Sequence, residues 1–484
     1  MREKLPFTSW MTSMSQKGNL DVNVREFKDF IFASNVNGQW AAIRKNGQST
    51  NDVLNGSVDA LEANLVIRTN GNAAEYDAAV ERWNSFDTDL PFLYIVHLTQ
   101  RCNLTCGFCH SAAVGVDALG KDVTYETLDT IARFIASAPG LTKTIAFQGG
   151  EPLLCIDRIA YFQSKLKPLL EPGARIHYGV TTNATLLDDV ALQALQALSV
   201  RVSISVDGPE ALHDIDRRYE DGTGSYSKTI ENRNRARNLY PRIYAGQIMV
   251  VTAQSAPHFK EIVDEYLDAG EHLFRFKMVT PLGRGKQYAK RGGSLGIDEA
   301  VYYHKEVIKY LREKYYNSGA LAGELYALTV IRKLFEKVNV GDVDSRNKCG
   351  IARNVVDFDI RGNIHACHET SKYRPFLLGN ARQTYREIYG SELASKIRSL
   401  TDLSQHSECR SCPYFNYCTP CPAKNYQESG FPDSTAFGSA ECTKTIALMD
   451  LLIQELNEFP EYYLRLWQNN ALQIGLKDLV SDVR

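Results

Sequence analysis

The sequence lacks an excess of charge of either sign, and it lacks any long hydrophobic run. Its 484 residues include 55 lysines and arginines against 57 aspartates and glutamates, which gives a net charge of -2. This balance provides no electrostatic footprint for nucleic acid or for an anionic membrane surface. No apolar run approaches the roughly 18 residues that a transmembrane helix requires. We therefore expect neither nucleic-acid nor membrane partners.

The N-terminus also lacks the apolar segment of a secretory signal. This absence predicts a cytoplasmic protein, whose thiols stay reduced. The chain nevertheless has 11 cysteines, and all except Cys155 fall into three groups. Clustered cysteines in a reducing compartment indicate metal ligation rather than disulfides. Cys155 is predicted to be a small, buried apolar side chain.

The first cysteine group is a tight loop after an apolar run at 92–98. Cys102, Cys106 and Cys109 are spaced C-x3-C-x2-C. A 4Fe-4S cluster normally takes four thiolate ligands, so three cysteines leave one iron open for another ligand. A zinc site or three unrelated core cysteines are the alternatives, but this spacing is not typical of zinc.

Strand-like and helix-like segments alternate after this run. Strands are predicted at 92–98, 144–147, 175–181, 201–206, 244–251 and 272–279, and helices at 124–137, 187–198, 226–239 and 257–267. Such alternation indicates an α/β fold with a parallel, barrel-like sheet. Chemistry then lies at the C-terminal ends of the strands, where the cysteine loop and three later motifs fall. These motifs are GGEP at 149–152, TNAT at 182–185, and SVDGP at 205–209 with HDIDR at 213–217.

Together, these motifs resemble those of the radical S-adenosylmethionine (SAM) enzymes, particularly the peptide- and protein-modifying subgroup. The resemblance implies a partial (β/α)6 barrel in which SAM chelates the open iron and yields a 5′-deoxyadenosyl radical. It implies that Glu151 binds the SAM amino group, Ser205 the ribose and Arg217 the carboxylate. A surface salt bridge is the alternative for Arg217. Ala184 replaces a glycine of the usual motif. The implied SAM-binding residues are Phe108, Gly149, Gly150, Glu151, Asn183, Ser205, Asp207 and Arg217.

The remaining cysteines resemble the SPASM domain, which carries two auxiliary iron–sulfur clusters. By that resemblance one set, Cys409, Cys412, Cys418 and Cys442, holds the second cluster fully. The other set, Cys349, Cys367 and Cys421, holds the first cluster and lacks a fourth cysteine. His365 and His368 are candidates for the missing ligand, and an open iron is another possibility. A four-cysteine zinc site at 409–421 is the alternative.

The N-terminal segment reads as two strands, 27–33 and 39–44, joined by an Asn37-Gly38 turn. Helices are predicted at 50–55, 58–64 and 73–84. This pattern resembles a winged-helix domain that binds a leader peptide as an added strand, and a barrel-capping extension is the alternative.

We expect five regions in the chain: 1–90 (the winged-helix-like domain), 91–297 (radical SAM barrel), 298–345 (helical bridge), 346–445 (SPASM domain) and 446–484 (helical tail).

The resemblance implies an enzyme that crosslinks side chains of a ribosomally made peptide through a thioether, C–C or C–O bond. The alternatives are a sulfatase maturase that makes formylglycine and a catalytically silent electron carrier. In sulfatase maturases, the residue after the cysteine equivalent to Cys367 is an aspartate base, but here it is His368, followed by Glu369. A histidine can act as a base near neutral pH, so we take His368 and Glu369 as catalytic candidates. The implied partners are a precursor peptide and an electron donor such as flavodoxin or ferredoxin.

Overall fold

The computed structural model describes residues 22–35, 38–45, 50, 73–84, 90–339, 342–434 and 436–469. The helices predicted at 50–55 and 58–64 and the turn residue Asn37 lie outside these ranges, apart from Thr50. Within them, no helix has both the length and the apolarity needed to cross a membrane.

Most strands fall before residue 280. They are β1 (Val22–Glu26), β2 (Phe30–Asn35), β3 (Trp40–Arg44), β4 (Leu93–Thr99), β5 (Thr142–Gly149), β6 (Arg175–Thr182), β7 (Val200–Ser205), β8 (Tyr244–Val251), β9 (Leu273–Phe274), β10 (Phe276–Met278), β11 (Gly323–Glu324), β12 (Val355–Phe358), β13 (Asn363–His365) and β14 (Leu377–Asn380).

The helices alternate with these strands and dominate the C-terminal region. They are α1 (Ala73–Trp83), α2 (Tyr125–Ser137), α3 (Ile156–Leu166), α4 (Asp189–Ala197), α5 (Glu210–Asp216), α6 (Tyr226–Leu239), α7 (Phe259–Asp268), α8 (Gly285–Lys290), α9 (Ile297–Ser318), α10 (Leu325–Glu336), α11 (Tyr385–Tyr389), α12 (Glu392–Ser399), α13 (Ser407–Arg410), α14 (Pro422–Ser429), α15 (Ala440–Glu458) and α16 (Pro460–Gln468).

The chain divides into two compact units. The larger comprises residues 89–325 and 350–399 and contains a nine-stranded sheet in the order β10-β8-β7-β6-β5-β4-β12-β13-β14. The strands from β4 to β10 in this sheet run parallel, and β12 continues the parallel pairing on the other side of β4. The predicted α/β fold on a parallel sheet is confirmed. All carboxyl ends of these parallel strands therefore meet at one edge of the sheet.

The helices pack on this sheet through apolar stripes. In α2, Leu128, Ile131 and Ile135 are fully buried and follow the three-to-four-residue spacing of one helix face. The Thr124 side chain accepts from the backbone N–H of Thr127 and caps the helix start.

The prediction of one continuous strand at 272–279 is wrong. The segment forms two short strands, β9 and β10, which are separated by Arg275. The split lets β10 pair with β8 while β9 pairs with β11, a partner whose sequence carries no strand signal.

The smaller unit comprises residues up to 88, 326–349 and 400–480. Its three strands form an antiparallel sheet, β1-β2-β3. The strand predicted at 27–33 begins only at Phe30, because Phe27 N donates to Phe30 O at 2.9 Å and closes a turn. This sheet packs on the segment that contains Cys409 and Cys412. Asn23 Nδ2 donates to Arg410 O at 2.8 Å, and Ser34 Oγ donates to Pro413 O at 2.6 Å. Sequence periodicity gave no sign of that contact.

Candidate active site

The first cysteine group lies in the loop that leaves the C-terminal end of β4. Cys102 N donates to Val114 O at 2.9 Å, and Cys109 N donates to Cys106 O at 3.3 Å. The three thiols have no disulfide partner and line one cleft of the larger unit. Burial raises the pKa of the Cys102 thiol to about 12 and that of Cys106 to about 11. The thiolate forms therefore need a cationic group beside them, such as iron.

The two glycines of the GGEP motif end β5 against the residues that follow β4. A Cβ on Gly150 would lie 2.1 Å from Arg101 O, and one on Gly149 would lie 2.5 Å from Thr99 O. Both glycines line the cleft. Backbone atoms of Thr99 and Arg101 occupy the space that a side chain at either position would need. The close approach joins the start of the cysteine loop to Glu151, whose N–H donates to Arg101 O at 2.7 Å.

Glu151 is buried at the floor of the cleft. Its carboxylate accepts from Leu153 N at 3.0 Å, Thr182 Oγ1 at 2.7 Å and Asn183 N at 2.9 Å. Burial raises the carboxyl pKa to about 6, against the opposing effect of these hydrogen bonds. A carboxylate offers about four lone-pair positions, so three protein donors leave room for an ammonium group.

The turn after β6 holds Asn183 over the cysteine loop. Asn183 Nδ2 lies 3.8 Å from Cys102 Sγ and donates to Asn103 Oδ1 at 3.0 Å. Ala184 adopts φ +61°, the left-handed conformation that favours the glycine it replaces. Asn232 Nδ2 holds this turn by donating to Ala184 O at 2.7 Å. The unusual alanine therefore keeps the glycine-type backbone.

Arg217 is buried and is not the surface residue of the alternative interpretation. Its guanidinium donates to Asp207 Oδ2 through Nε at 2.6 Å and to Oδ1 through Nη2 at 3.1 Å. It also lies 5.3 Å above the centre of the Phe108 ring. Because a guanidinium has five N–H donors, Asp207 leaves some for a second carboxylate in the cleft.

Other residues of the HDIDR motif, together with Gly224 and Ser225 that follow it, hold Arg217 in place. His213 is fully buried, with Nε2 at 3.1 Å from Ser225 Oγ, and that hydroxyl donates to Arg217 O at 2.7 Å. Asp214 Oδ1 accepts from Ser225 N at 2.9 Å at the start of α6. A Cβ on Gly224 would lie 1.9 Å from the Asp214 carboxylate, so this position requires glycine.

The cleft has a volume of about 270 Å³. It brings together most of the predicted site residues of the larger unit: Cys102, Cys106, Phe108, Cys109, Gly149, Gly150, Glu151, Asn183, Ser205, Arg217, His368 and Glu369. Asp207 does not line the cleft, but its carboxylate accepts from Arg217.

Two histidines and an aspartate that sequence reasoning missed surround His368. The buried carboxylate oxygen Oδ1 of Asp357, on β12, accepts from His97 Nε2 at 3.1 Å and from His368 Nδ1 at 3.3 Å. Burial alone would raise the Asp357 pKa, but His97 and His368 hold it far below its usual value. The His368 ring stacks on His110, with ring centres 4.4 Å apart and planes 2° apart. The polar His97 inside an apolar strand was the one signal for this array.

In the smaller unit, four cysteines surround a second, small cavity of about 30 Å³. They are the predicted ligands of the second auxiliary cluster: Cys409, Cys412, Cys418 and Cys442. Cys421, which the zinc alternative requires, is not among the residues that line this cavity, whereas Cys442 at the start of α15 is. Burial raises the pKa of the Cys409 thiol to about 11 and that of Cys412 to about 12.

The other predicted ligands are divided between the units. Cys349 and Cys421 belong to the smaller unit, and Cys367 belongs to the larger one. Glu369 N lies 3.4 Å from Cys367 Sγ and donates toward it. Cys155 is fully buried, as predicted.

These donor sets fit iron–sulfur clusters. Both cavities are lined by thiols without disulfide partners. Backbone N–H groups point at several of the sulfurs: Leu104 N at Cys102 Sγ (3.4 Å), Ala113 N at Cys109 Sγ (3.5 Å) and Tyr414 N at Cys412 Sγ (3.4 Å). Such N–H donors are typical of sulfur atoms in clusters.

Comparisons with known proteins agree with this chemistry. Residues 96–266 match the family model of the radical SAM superfamily, and residues 349–413 match the SPASM iron–sulfur cluster-binding domain. The cysteine-type anaerobic sulfatase-maturating enzyme of Clostridium perfringens is 24% identical over 344 residues, which are 67% of this chain and 87% of that enzyme.

Two solved structures share the fold. The structure of anSMEcpe with bound AdoMet has a TM-score of 0.63 at 19% identity and covers 76% of this chain and 99% of its own. Streptococcus suis SuiB bound to S-adenosylmethionine has a TM-score of 0.52 at 15% identity and covers 88% of this chain and 100% of its own. The chain therefore contains a radical SAM domain and a SPASM iron–sulfur domain, and it is an enzyme whose cofactors are S-adenosylmethionine and iron–sulfur clusters.

Proposed function

We propose that this enzyme forms a crosslink between side chains of a ribosomally synthesised peptide, through a thioether, C–C or C–O bond. The enzyme belongs to the maturase type, related to sulfatase maturases and peptide maturases. The observation that carries the proposal is the position of His368, which follows Cys367 and lines the same cleft as the first cysteine group. The aspartate base of sulfatase maturases is absent there.

We assign the SAM contacts to the cleft residues. Reductive cleavage of bound SAM supplies a 5′-deoxyadenosyl radical, which removes a hydrogen atom from the substrate. Cys102, Cys106 and Cys109 hold the cluster in this proposal. Glu151 accepts from the SAM ammonium, and Arg217, fixed by Asp207, donates to the SAM carboxylate. Ser205, at the end of β7 and in the cleft wall, contacts the ribose.

The substrate side of the cleft is assigned to His368 and Glu369. Crosslinking removes two hydrogens from the peptide, one as an atom and the other as a proton and an electron. His368 accepts the proton, and Asp357 fixes the ring because it accepts from His368 Nδ1. This leaves Nε2 as the basic nitrogen, while Glu369 is the second candidate acceptor in the cleft wall. The remaining electron requires an acceptor, and an auxiliary cluster held by the SPASM cysteines would supply one.

The proposed partners follow from the same chemistry. A solved structure of SuiB contains the precursor peptide SuiA, which supports a peptide substrate for this fold. We propose that residues 1–90 bind the leader segment of this enzyme's own precursor peptide along the β1-β2-β3 sheet. A flavodoxin or ferredoxin would supply the electron for SAM cleavage.

Formylglycine formation is the second candidate, favoured by the likeness to the Clostridium perfringens enzyme. Both reactions are two-electron oxidations, but formylglycine formation from cysteine also releases the sulfur as hydrogen sulfide and gains a water oxygen, so the product distinguishes them. Anaerobic turnover of a precursor peptide should give loss of two hydrogens with linked fragment ions in mass spectrometry. Formylglycine in a sulfatase-motif peptide, abolished by His368→Ala, would instead support the second candidate and overturn the crosslinking proposal.

A further inference from the structure

Arg284 follows β10 and reaches the cysteine loop through two glycines. A Cβ on Gly283 would lie 2.2 Å from His110 O, and one on Gly285 would lie 2.2 Å from Thr280 O. Arg284 N donates to Cys109 O at 2.9 Å. Glycine at 283 therefore permits the close packing of this segment on the loop that carries the cluster ligands, and glycine at 285 permits the tight turn back on Thr280.

The guanidinium of Arg284 is not neutralised by the described residues. Its Nη1 donates to Ala113 O at 3.1 Å, but Nε and Nη2 are buried without a hydrogen-bond partner. No ion pair of Arg284 occurs in the described part of the chain, whereas the other arginine of the cleft, Arg217, is paired with Asp207. A buried charged donor without an acceptor is costly, so these N–H groups point to an acceptor that the protein chain does not provide.

The acceptor must lie beside the first cysteine group. Arg284 lines the cleft and also a groove on the outer side of the same loop, and Cys102, Leu104 and Ala113 line both. Ala113, whose carbonyl oxygen accepts from Arg284 Nη1, directs its own N–H at Cys109 Sγ at 3.5 Å. The Arg284 guanidinium therefore lies beside the loop that carries the three thiols.

We propose that Arg284 donates hydrogen bonds to the sulfur atoms of the cluster held by Cys102, Cys106 and Cys109, and that its charge makes this cluster easier to reduce. Reduction adds one electron to a group already held by anionic thiolates. An unpaired cation in a buried site stabilises that added charge, and hydrogen bonds to cluster sulfurs act in the same direction. No proton moves, because a guanidinium stays charged at every accessible pH.

The test is a redox titration of the anaerobically reconstituted full-length protein with dithionite. The electron paramagnetic resonance signal of this cluster is identified by its change when SAM is added. At the midpoint potential of the wild type, half of its cluster is reduced. At that same potential the ratio of reduced to oxidised cluster in Arg284→Met should be about one to ten. Arg284→Lys keeps the charge and should stay close to wild type.

Arg218→Met is the matched control, because Arg218 is exposed and its side chain donates to Asp214 O rather than to the loop. Iron content is measured for every variant, and Arg284→Gln replaces Arg284→Met if the latter loses iron. An unchanged titration in the charge-neutral variant would overturn the proposal. Weaker SAM binding with an unchanged titration would also overturn it, since the guanidinium would then serve the SAM carboxylate.

Discussion

Asp207 and Arg217 form a buried, two-point ion pair in which Nε and Nη2 of the arginine contact both carboxylate oxygens, at 2.6 and 3.1 Å. Asp207 Oδ1 also accepts from Val250 N at 2.9 Å, which ties the pair to β8. The pair fixes the plane of the guanidinium over Phe108. Arg217 is therefore oriented before any ligand arrives, and a bound carboxylate meets a prearranged donor.

Replacing Asp207 with asparagine should weaken SAM binding by about tenfold or more, because Arg217 loses its charged acceptor and its fixed plane. Equilibrium dialysis of SAM against the reconstituted protein measures the effect. Asp221→Asn is the control, since Asp221 is exposed and accepts only within its own turn. Equal SAM affinity in Asp207→Asn and wild type would show that the ion pair does not orient the SAM-binding arginine.

The raised pKa of Glu151 predicts a pH dependence of SAM binding. Burial raises this pKa to about 6, and only the ionised carboxylate attracts the SAM ammonium. Affinity should therefore be constant between about pH 6 and about pH 7, where the SAM amino group is still protonated, and fall about tenfold per pH unit below about pH 6. Glu151→Gln should bind more weakly at pH 7.5 and lose this dependence. A wild-type affinity that stays constant down to pH 5 would contradict the assignment.

Gly150→Ala should destabilise the protein by about 2–4 kcal/mol, because the new methyl meets Arg101 O at 2.1 Å and forces the strand ends apart. Iron retention at the first cysteine group should fall with it. Gly179→Ala, within β6, is the matched control, because its methyl would find only an ordinary contact at 3.8 Å. Thermal unfolding and iron content are the measurements, and equal losses in both variants would reject the explanation.

Asp357→Asn should separate SAM cleavage from peptide modification. The variant weakens the acceptor shared by His97 and His368, so the His368 ring loses its fixed orientation. We expect at least about a tenfold loss of modified peptide while 5′-deoxyadenosine still forms. Both are quantified in one anaerobic reaction by chromatography and mass spectrometry. A parallel loss of both products would place Asp357 outside the substrate-proton pathway.

The sequence predicts the parallel sheet and most of the cleft, because each motif follows directly after a strand and parallel strands end at one edge. Ala184 also follows this pattern: neighbouring residues hold it in the left-handed conformation that glycine prefers. The sequence could not reveal the array around His368, since His97 and Asp357 lie 260 residues apart in the chain. Periodicity locates strands but does not identify partners at such a separation.

The packing of the N-terminal sheet shows the same limit. The strand and turn signals of the first 45 residues are local, but their contacts lie near residues 410–417. The sequence assigned no role to Arg284 for another reason: its importance depends on two buried nitrogen atoms without a hydrogen-bond partner, and a sequence does not reveal hydrogen-bond pairing.

The most direct test of the account is 5′-deoxyadenosine formation from SAM under anaerobic, reducing conditions, in three proteins reconstituted side by side. Wild type should contain about twelve irons, if all three proposed clusters are 4Fe-4S, and cleave SAM. The triple variant Cys102→Ala, Cys106→Ala, Cys109→Ala should lose about a third of the iron and all cleavage. The variant Cys409→Ala, Cys412→Ala should lose a similar share of iron but still cleave SAM. Undiminished 5′-deoxyadenosine from the Cys102, Cys106 and Cys109 variant would contradict the assignment of SAM cleavage to this cleft.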